Sequence, residues 1–442
     1  MTSTTEQPQE HTTRFNAPRW LGLLLVVLAA LVLARSLSEG IYDIAFANLA
    51  LDLTGAVSTV GLVYCVGYGV EVVASIVAGP LLDRGNPKSV LVVSYLVKIG
   101  VFALIGLGSS FLSSHLWAIV VAAAAVDLVH HIGEMALFVL LPRLLDAKTL
   151  VRVQGISGSV RSASELISPV VAGGIIVLLP GSQGLLAAAG LQVLALILFI
   201  AFIAVLSRRP AIPNEDTVAG GEPGADAGSS DEPVSRRTVA KTIVASRAWR
   251  RFAVFHSLSV LALSTVILSL LSLMRDTLDM SAARAGSFLA CSTIGAIIGG
   301  LIVAKAGPDG IYPSMRWSPA VAGAGALIAA FLGQSQGLLA AGLILFGLGF
   351  TVYLRSAGLV VQLRAPSAIL GTWDGLLDAV IRVVSAAAIL ATGFLFDHVG
   401  GRPVYLFLGA LLFLMAGLWS GFGKQDRDGL GTTPLHTAPS RS

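Results

Sequence analysis

Apolar runs of about 20 residues recur along the whole chain, and each is long enough to cross roughly 30 Å of hydrocarbon as a helix. No other feature narrows the fold as much, because within lipid only elements that satisfy their own backbone hydrogen bonds survive. The runs fall near 19–48, 57–82, 89–109, 115–141, 151–179, 184–206, 253–274, 283–305, 317–334, 337–361, 370–396 and 404–421. Of the 442 residues, 55% are hydrophobic and only 12% charged, against roughly a quarter charged in soluble proteins. The 48 glycines suit helices that approach closely in a bilayer. An all-α polytopic membrane protein with twelve transmembrane helices is expected.

Basic residues test that count, since Lys and Arg concentrate in cytoplasmic loops. With the N-terminus in the cytoplasm, only Arg275, Arg284 and Arg402 of the 29 Lys and Arg fall on the far side. Both termini are therefore expected to be cytoplasmic, and the expected location is a bacterial inner membrane. Residues 1–17 form a polar tail, and the apolar run behind it is too long for a cleaved signal. Residues 18–206 and 253–421 make two six-helix bundles, separated by a cytoplasmic loop at 207–252 and followed by a tail at 422–442. The first part of that loop is rich in Pro, Gly and acid, the composition of disorder. Its end is basic (Arg236, Arg237, Lys241, Arg247, Arg250, Arg251) and suits an amphipathic helix on an anionic leaflet. Six plus six spans imply two pseudo-symmetric halves around a central cavity.

Several compositional signals exclude other classes. The pI near 9.2 reflects topology and not nucleic-acid binding. Cys65 and Cys291 both lie in apolar runs, so neither a disulfide framework nor a Cys-based metal site is expected. No Walker A pattern or HExxH occurs, which argues against ATP-driven transport and metal-dependent intramembrane hydrolysis.

Charges inside the spans are costly, on the order of 2.5–3.5 kcal/mol each on insertion scales, and mark functional candidates. Arg35, Glu39 and Asp43 recur at i, i+4 and i+8 in the first span, hence on one stripe of a helix. Arg35 is expected to pair with Glu39 within the helix, leaving Asp43 less compensated. In the fourth span, Asp127, one of His130 and His131, and Glu134 share a face. That spacing suits a proton relay, a structural network, or N/O ligation of a metal; no metal is assigned. Arg161 and Glu165 are spaced for an intrahelical pair, and Glu71 has no charged neighbour within one turn, so it needs a partner on another helix or a proton. Asp374, Asp378 and Arg382 make a further stripe, with Asp374 read as a helix-start charge at the surface. Arg355 lies near the cytoplasmic end of the tenth span, and Lys98 either snorkels or pairs with an acid. Most buried acids fall in the first half, where proton coupling is expected. Tyr42, Phe46, Tyr68, Phe138, Tyr353 and Trp373 are candidates to line an amphipathic pocket.

Between the second and third spans stands AGPLLDRGNPKSVL, residues 78–91. Its Asp83 carboxylate can meet Arg84 or the positive end of a neighbouring helix, a contact that would act as a conformational latch if made in only one state. Gly79, Asp83, Arg84, Gly85 and Lys88 resemble the loop signature of the major facilitator superfamily, with a departure at Asn86 and Pro87. Gly300–Gly307 is a degenerate second copy, with Ala304 and Lys305 where Asp-Arg would stand, and Gly393–Pro403 is a further family-like turn. In the fifth span, Ser168-Pro169 and Ala172-Gly173-Gly174 resemble the motif of drug:proton antiporters; Pro169 should kink the helix, and Gly173 and Gly174 should admit a close neighbour. The first span and LPRLLDAKTLVRVQG look like the macrolide and siderophore exporters of that superfamily.

This resemblance implies a monomeric, cofactor-free secondary transporter working by alternating access. Its partners are a small-molecule substrate, protons and the lipid bilayer. The leading expectation is export of an amphipathic drug or secondary metabolite in exchange for protons. Glu39, Asp43, Asp127, Glu134, Glu71 and Glu165 are the coupling candidates. Arg35, His130, His131, Arg161, Arg355 and Arg382 are candidates for substrate or charge pairing. The alternatives are transport of a charged metabolite or siderophore, whose anion Arg161, Arg355 or Arg382 would bind, and a non-transporting sensor.

Overall fold

A computed structural model describes residues 19–107, 115–179, 183–208, 236–274 and 278–431. The N-terminal tail, most of the central loop and Arg275 lie outside these residues. Six long helices make the first half: α1 (Arg19–Thr54), α2 (Val57–Arg84), α3 (Pro87–Gly106), α4 (Leu116–Leu144), α5 (Ala147–Leu178) and α6 (Gly184–Ser207). A short α7 (Arg236–Ala245) precedes the second six: α8 (Arg247–Ser272), α9 (Ala282–Ala306), α10 (Ile311–Leu332), α11 (Gln336–Arg364), α12 (Leu370–Val399) and α13 (Gly401–Ser420). A final α14 spans Lys424–Gly431.

Each of the twelve long helices corresponds to one expected span, with ends that differ by a few residues. Among the described residues nine are long and apolar enough to cross a membrane by composition. The other three, α5, α8 and α12, carry charges such as Arg161, Arg251 and Asp378, which lower their hydropathy without shortening them.

Local signals set the helix starts. The Asn86 side chain accepts from the Lys88 N–H at 3.0 Å and Pro87 sits at the first position of α3, a favoured cap and a favoured first residue. The departure of Asn86 and Pro87 from the signature thus serves to begin a helix. Asp146 caps α5 through the Thr149 N–H at 2.8 Å.

Packing repeats between the halves. In the first, α1 lies on α5 and α6, α2 on α4, and α3 on α4 and α6. In the second, α8 lies on α12 and α13, α9 on α11, and α10 on α11 and α13, so each pairing recurs six spans later. The halves meet mainly through α2–α12 and α5–α9, which exchange under the same relation. The basic segment does form the helix α7, and it turns the buried Val239 and Ile243 onto α8 and α12.

Candidate functional site

Three helices of the first half bring charge to one point. Arg161 of α5 donates to Glu134 Oε1 of α4 at 2.5 Å and to Glu165 Oε1 at 3.2 Å, and its Nη2 lies 3.6 Å from Glu39 Oε1 of α1. Arg35 lies 3.7 Å from Glu134, while His130 Nε2 is 3.6 Å from Glu39 and 3.7 Å from Glu134. None of the contacts beyond 3.5 Å is a hydrogen bond; those of the two arginines are ion pairs. Glu134 is therefore tied firmly and Glu39 loosely. The Arg35 Nε and His130 Nδ1 are buried without a hydrogen-bond partner. The expected Arg35–Glu39 pair within α1 does not form; tertiary packing brings Glu134 to Arg35 instead. The expected Arg161–Glu165 pair does form, because i, i+4 spacing needs no neighbour.

Beside this cluster a cavity of about 180 Å³ opens between α1, α4, α5 and α11. Arg35, Glu39, Glu134 and Arg161 line it from the first half and Arg355 from the second, with Ser36, Ser157 and Gln154. Arg355 lies where a Cβ on Gly158 would be, 2.8 Å from its Nε. It makes no ion pair among the described residues.

A second cluster joins the halves. Arg382 of α12 pairs with Glu71 of α2, donates from Nε to Asp378 Oδ2 at 2.7 Å, and lies 3.3 Å from His131 Nδ1. Ser75 Oγ lies 2.6 Å from Asp378 Oδ2 and 2.8 Å from His131 Nε2. The Tyr68 hydroxyl donates to the Arg382 carbonyl at 3.3 Å. Glu71 thus has its partner on another helix, in the other half. The adjacent His130 and His131 divide their work, one facing the intra-half cluster and the other the seam. Ser75 escaped notice because one serine in an apolar run carries no pattern.

Nearer the α2–α3 turn, Asp83 accepts from the Gly371 N–H at 2.7 Å and the Thr372 N–H at 2.8 Å. These are free donors at the start of α12, where the helix dipole favours an anion. Of the two partners open to Asp83, the helix N-terminus is taken and not Arg84. Gly79 permits this approach: a Cβ there would lie 2.6 Å from the Gly371 carbonyl oxygen. Arg84 and Gly85 are exposed and Lys88 half-buried, and neither cation makes an ion pair among the described residues. Gln362 adds bonds to Gln154 at 3.0 Å and to the Phe138 carbonyl at 2.8 Å, and Arg143 reaches the Ser367 carbonyl at 3.4 Å.

Other candidates fall outside these clusters. Asp127 lies against Gly67 of α2 and makes no ion pair with His130 among the described residues. Asp43 and Asp374 are half-buried and make no ion pair among the described residues. No group of three or more His, Cys, Asp or Glu among the described residues is placed to hold a metal. Lys98 is 1% exposed beside the Tyr95 ring, 5.4 Å from its centroid, so it does not snorkel. Pro169 lies within one continuous α5. Gly173 and Gly174 are exposed, and among the described residues no atom lies within 4 Å of a Cβ at either. It is Ser168 that packs on α1, against Gly40. Tyr42, Phe46, Tyr353 and Trp373 are buried packing residues.

No curated protein sequence matches this chain at a significant level. Solved structures share its fold. A bacterial homologue of the iron transporter ferroportin, in an outward-facing state, aligns at 16% identity and a TM-score of 0.69 over 91% of this chain and 99% of its own. The E. coli fucose:proton symporter FucP aligns at 15% identity and 0.69 over 91% and 99%. The human organic anion transporter MFSD10 aligns at 16% and 0.64 over 90% and 97%. The profile of the Major Facilitator Superfamily matches residues 28–373. The two pseudo-symmetric six-helix halves, the charged cavity between them and that match together make this chain a member of the Major Facilitator Superfamily, a multi-pass membrane transporter and not an enzyme.

Proposed function

We propose that the protein is a proton-coupled secondary transporter, working by alternating access, whose substrate carries an anionic group. The observation that carries this reading is Arg355, which enters the cavity from the second half without a carboxylate of its own and faces Arg161 of the first. An anion held by both guanidinium groups would favour the state in which the halves are together. A ligand shifts a conformational equilibrium only by such differential affinity.

Coupling follows from the sharing of Arg161. Glu39, Glu134 and Glu165 all neutralise it. A proton on Glu39, the most loosely held, frees part of that guanidinium for the substrate. Proton and anion then bind cooperatively, and by linkage each raises the affinity of the other. A cationic substrate would behave oppositely, competing with protons for the same carboxylates. The second reading, export of an amphipathic cation in exchange for protons, draws support from Asp43 and Asp127, acids without an ion pair among the described residues.

The basic-residue bias supports a cytoplasmic placement of the α2–α3 turn and of both termini, in a bacterial inner membrane. The contacts of Asp83, Arg143 and Gln362 then close the cytoplasmic side. Asp83, with Gly79, serves as the latch. The functional unit is the monomer, since each half meets the other within one chain.

The test is flux into proteoliposomes under an imposed proton gradient, with labelled organic anions and cationic dyes, comparing the native chain, Glu39→Gln and Arg355→Gln. The expected result is proton-driven anion movement, lost with a protonophore and reduced about 10- to 100-fold by Arg355→Gln, the loss of one hydrogen bond to a charged group. Cation exchange insensitive to Arg355→Gln would establish the second reading. Flux of neither class would remove both.

A further inference from the structure

Away from the cavity between the halves, the starts of α10 and α14 and the end of α13 enclose a cavity of about 620 Å³ on the side of the α2–α3 turn. Its walls are both aromatic and cationic: Tyr312, Trp317, Trp419 and Phe422 with Arg316 and Arg427. Arg427 and Arg364 both lie on the Tyr312 ring, their guanidinium carbons 5.5 and 5.9 Å from its centroid. Arg316, Arg364 and Arg427 make no ion pair among the described residues. The one neighbouring carboxylate with a firm bond, Asp426, is held by Arg251 at 2.5 Å. The Arg427 Nε is buried without a hydrogen-bond partner, and the Tyr312 hydroxyl, beside the Arg364 guanidinium and near the Asp428 carboxylate, has no acceptor for its proton. Buried donors left unmade are costly in a native structure.

We propose that this cavity binds the phosphate of an anionic phospholipid, the oxyanion meeting Arg316, Arg427 and the Tyr312 hydroxyl. Guanidinium groups suit phosphate because their donors match its oxygens in pairs. Tryptophans flanking such a group are the usual arrangement at headgroup depth. The acyl chains have a path outward along α13, where Phe413 and Leu414 expose 45% and 56% of their surface. Bound lipid would fasten α14 across the ends of α10 and α13, adding to the Arg251–Asp426 pair. The site takes no part in the substrate path and stands or falls independently of it.

Native mass spectrometry of the full chain, released from nanodiscs of phosphatidylcholine with a minor share of phosphatidylglycerol, tests the proposal. Retention of phosphatidylglycerol over phosphatidylcholine is expected. Arg316→Gln alone, at an exposed and unpaired side chain, should weaken it several-fold. Arg316→Gln with Arg427→Gln should weaken it roughly tenfold or more, in line with about 1 kcal/mol per basic residue at an anionic surface. Inorganic phosphate at millimolar concentration should neither displace the lipid nor raise the melting temperature. If it does both as well as the lipid, the phosphate chemistry stands and its source is a soluble anion, which overturns the lipid assignment. Equal retention of the two lipids, or equal retention by the variants at an unchanged melting temperature, overturns the site.

Discussion

The two helix pairs that join the halves occupy equivalent places in the repeat, yet they are built from different chemistry. Across α5–α9 the contact is close and neutral. A Cβ on Gly155 would lie 2.6 Å from the Gly300 carbonyl oxygen, the converse distance is also 2.6 Å, and Ser159 Oγ donates to the Ile297 carbonyl at 2.8 Å. Across α2–α12 a glycine approach at Gly79 and Gly371 gives way to Glu71, His131, Asp378 and Arg382. A neutral close contact changes only with geometry, whereas an ionic one also changes with protonation. One seam is therefore a neutral packed contact, and the other an ionic one. The degenerate signature copy belongs to this difference. Where Asp83 reaches the α12 N-terminus, the corresponding Ala304 offers no charge, and its backbone instead packs against Gly155.

The sharpest way to break the comparison is Arg382→Ala, which leaves Glu71 and Asp378 without their cation. Loss of one partner from a buried ion cluster costs about 3–5 kcal/mol, read as a large fall in thermal stability in detergent. Adding Glu71→Gln should recover part of it. A loss below about 1 kcal/mol, the range of surface pairs, would end the ionic reading of the seam.

Gly300→Val comes next. The added isopropyl group, whose Cβ already meets backbone on α5, overpacks the seam, which costs about 1–3 kcal/mol. The loss should be equal at mildly acidic and mildly basic pH, as a neutral contact requires. Asp83→Asn should cost about 1 kcal/mol, the usual worth of a helix cap, without unfolding the protein. Its readout is the thiol modification rate of a single cysteine at Ile369, buried beside the latch, in a background lacking Cys65 and Cys291. That rate should rise roughly fivefold if the latch equilibrium moves by 1 kcal/mol. The smallest effect is expected from Arg84→Gln. Arg84 is exposed and makes no ion pair among the described residues, and such surface changes fall within about 0.5 kcal/mol.

Residue by residue, legibility followed distance along the chain. The Arg161–Glu165 pair could be read because both groups lie on one helix face. A helix N-terminus or Arg84 could be read as the partner of Asp83, and only packing chose the α12 N-terminus. The partner of Arg35 could not be read from spacing, because an acid on α4 outcompetes the local Glu39. At Gly173 and Gly174 a small residue permits close packing without compelling it, and no described residue packs on them.

By itself the sequence determined the number and order of the spans, their division into halves and the presence of intramembrane charge, since the bilayer imposes length and apolarity on each segment separately. Only the tertiary structure decided which charge meets which: Arg161 among three carboxylates, Glu71 with Arg382 across the halves, and Arg355 in the cavity without one. A buried charge is satisfied by whatever counter-charge packing brings within a few ångströms, and that neighbour can lie more than 300 residues away along the chain.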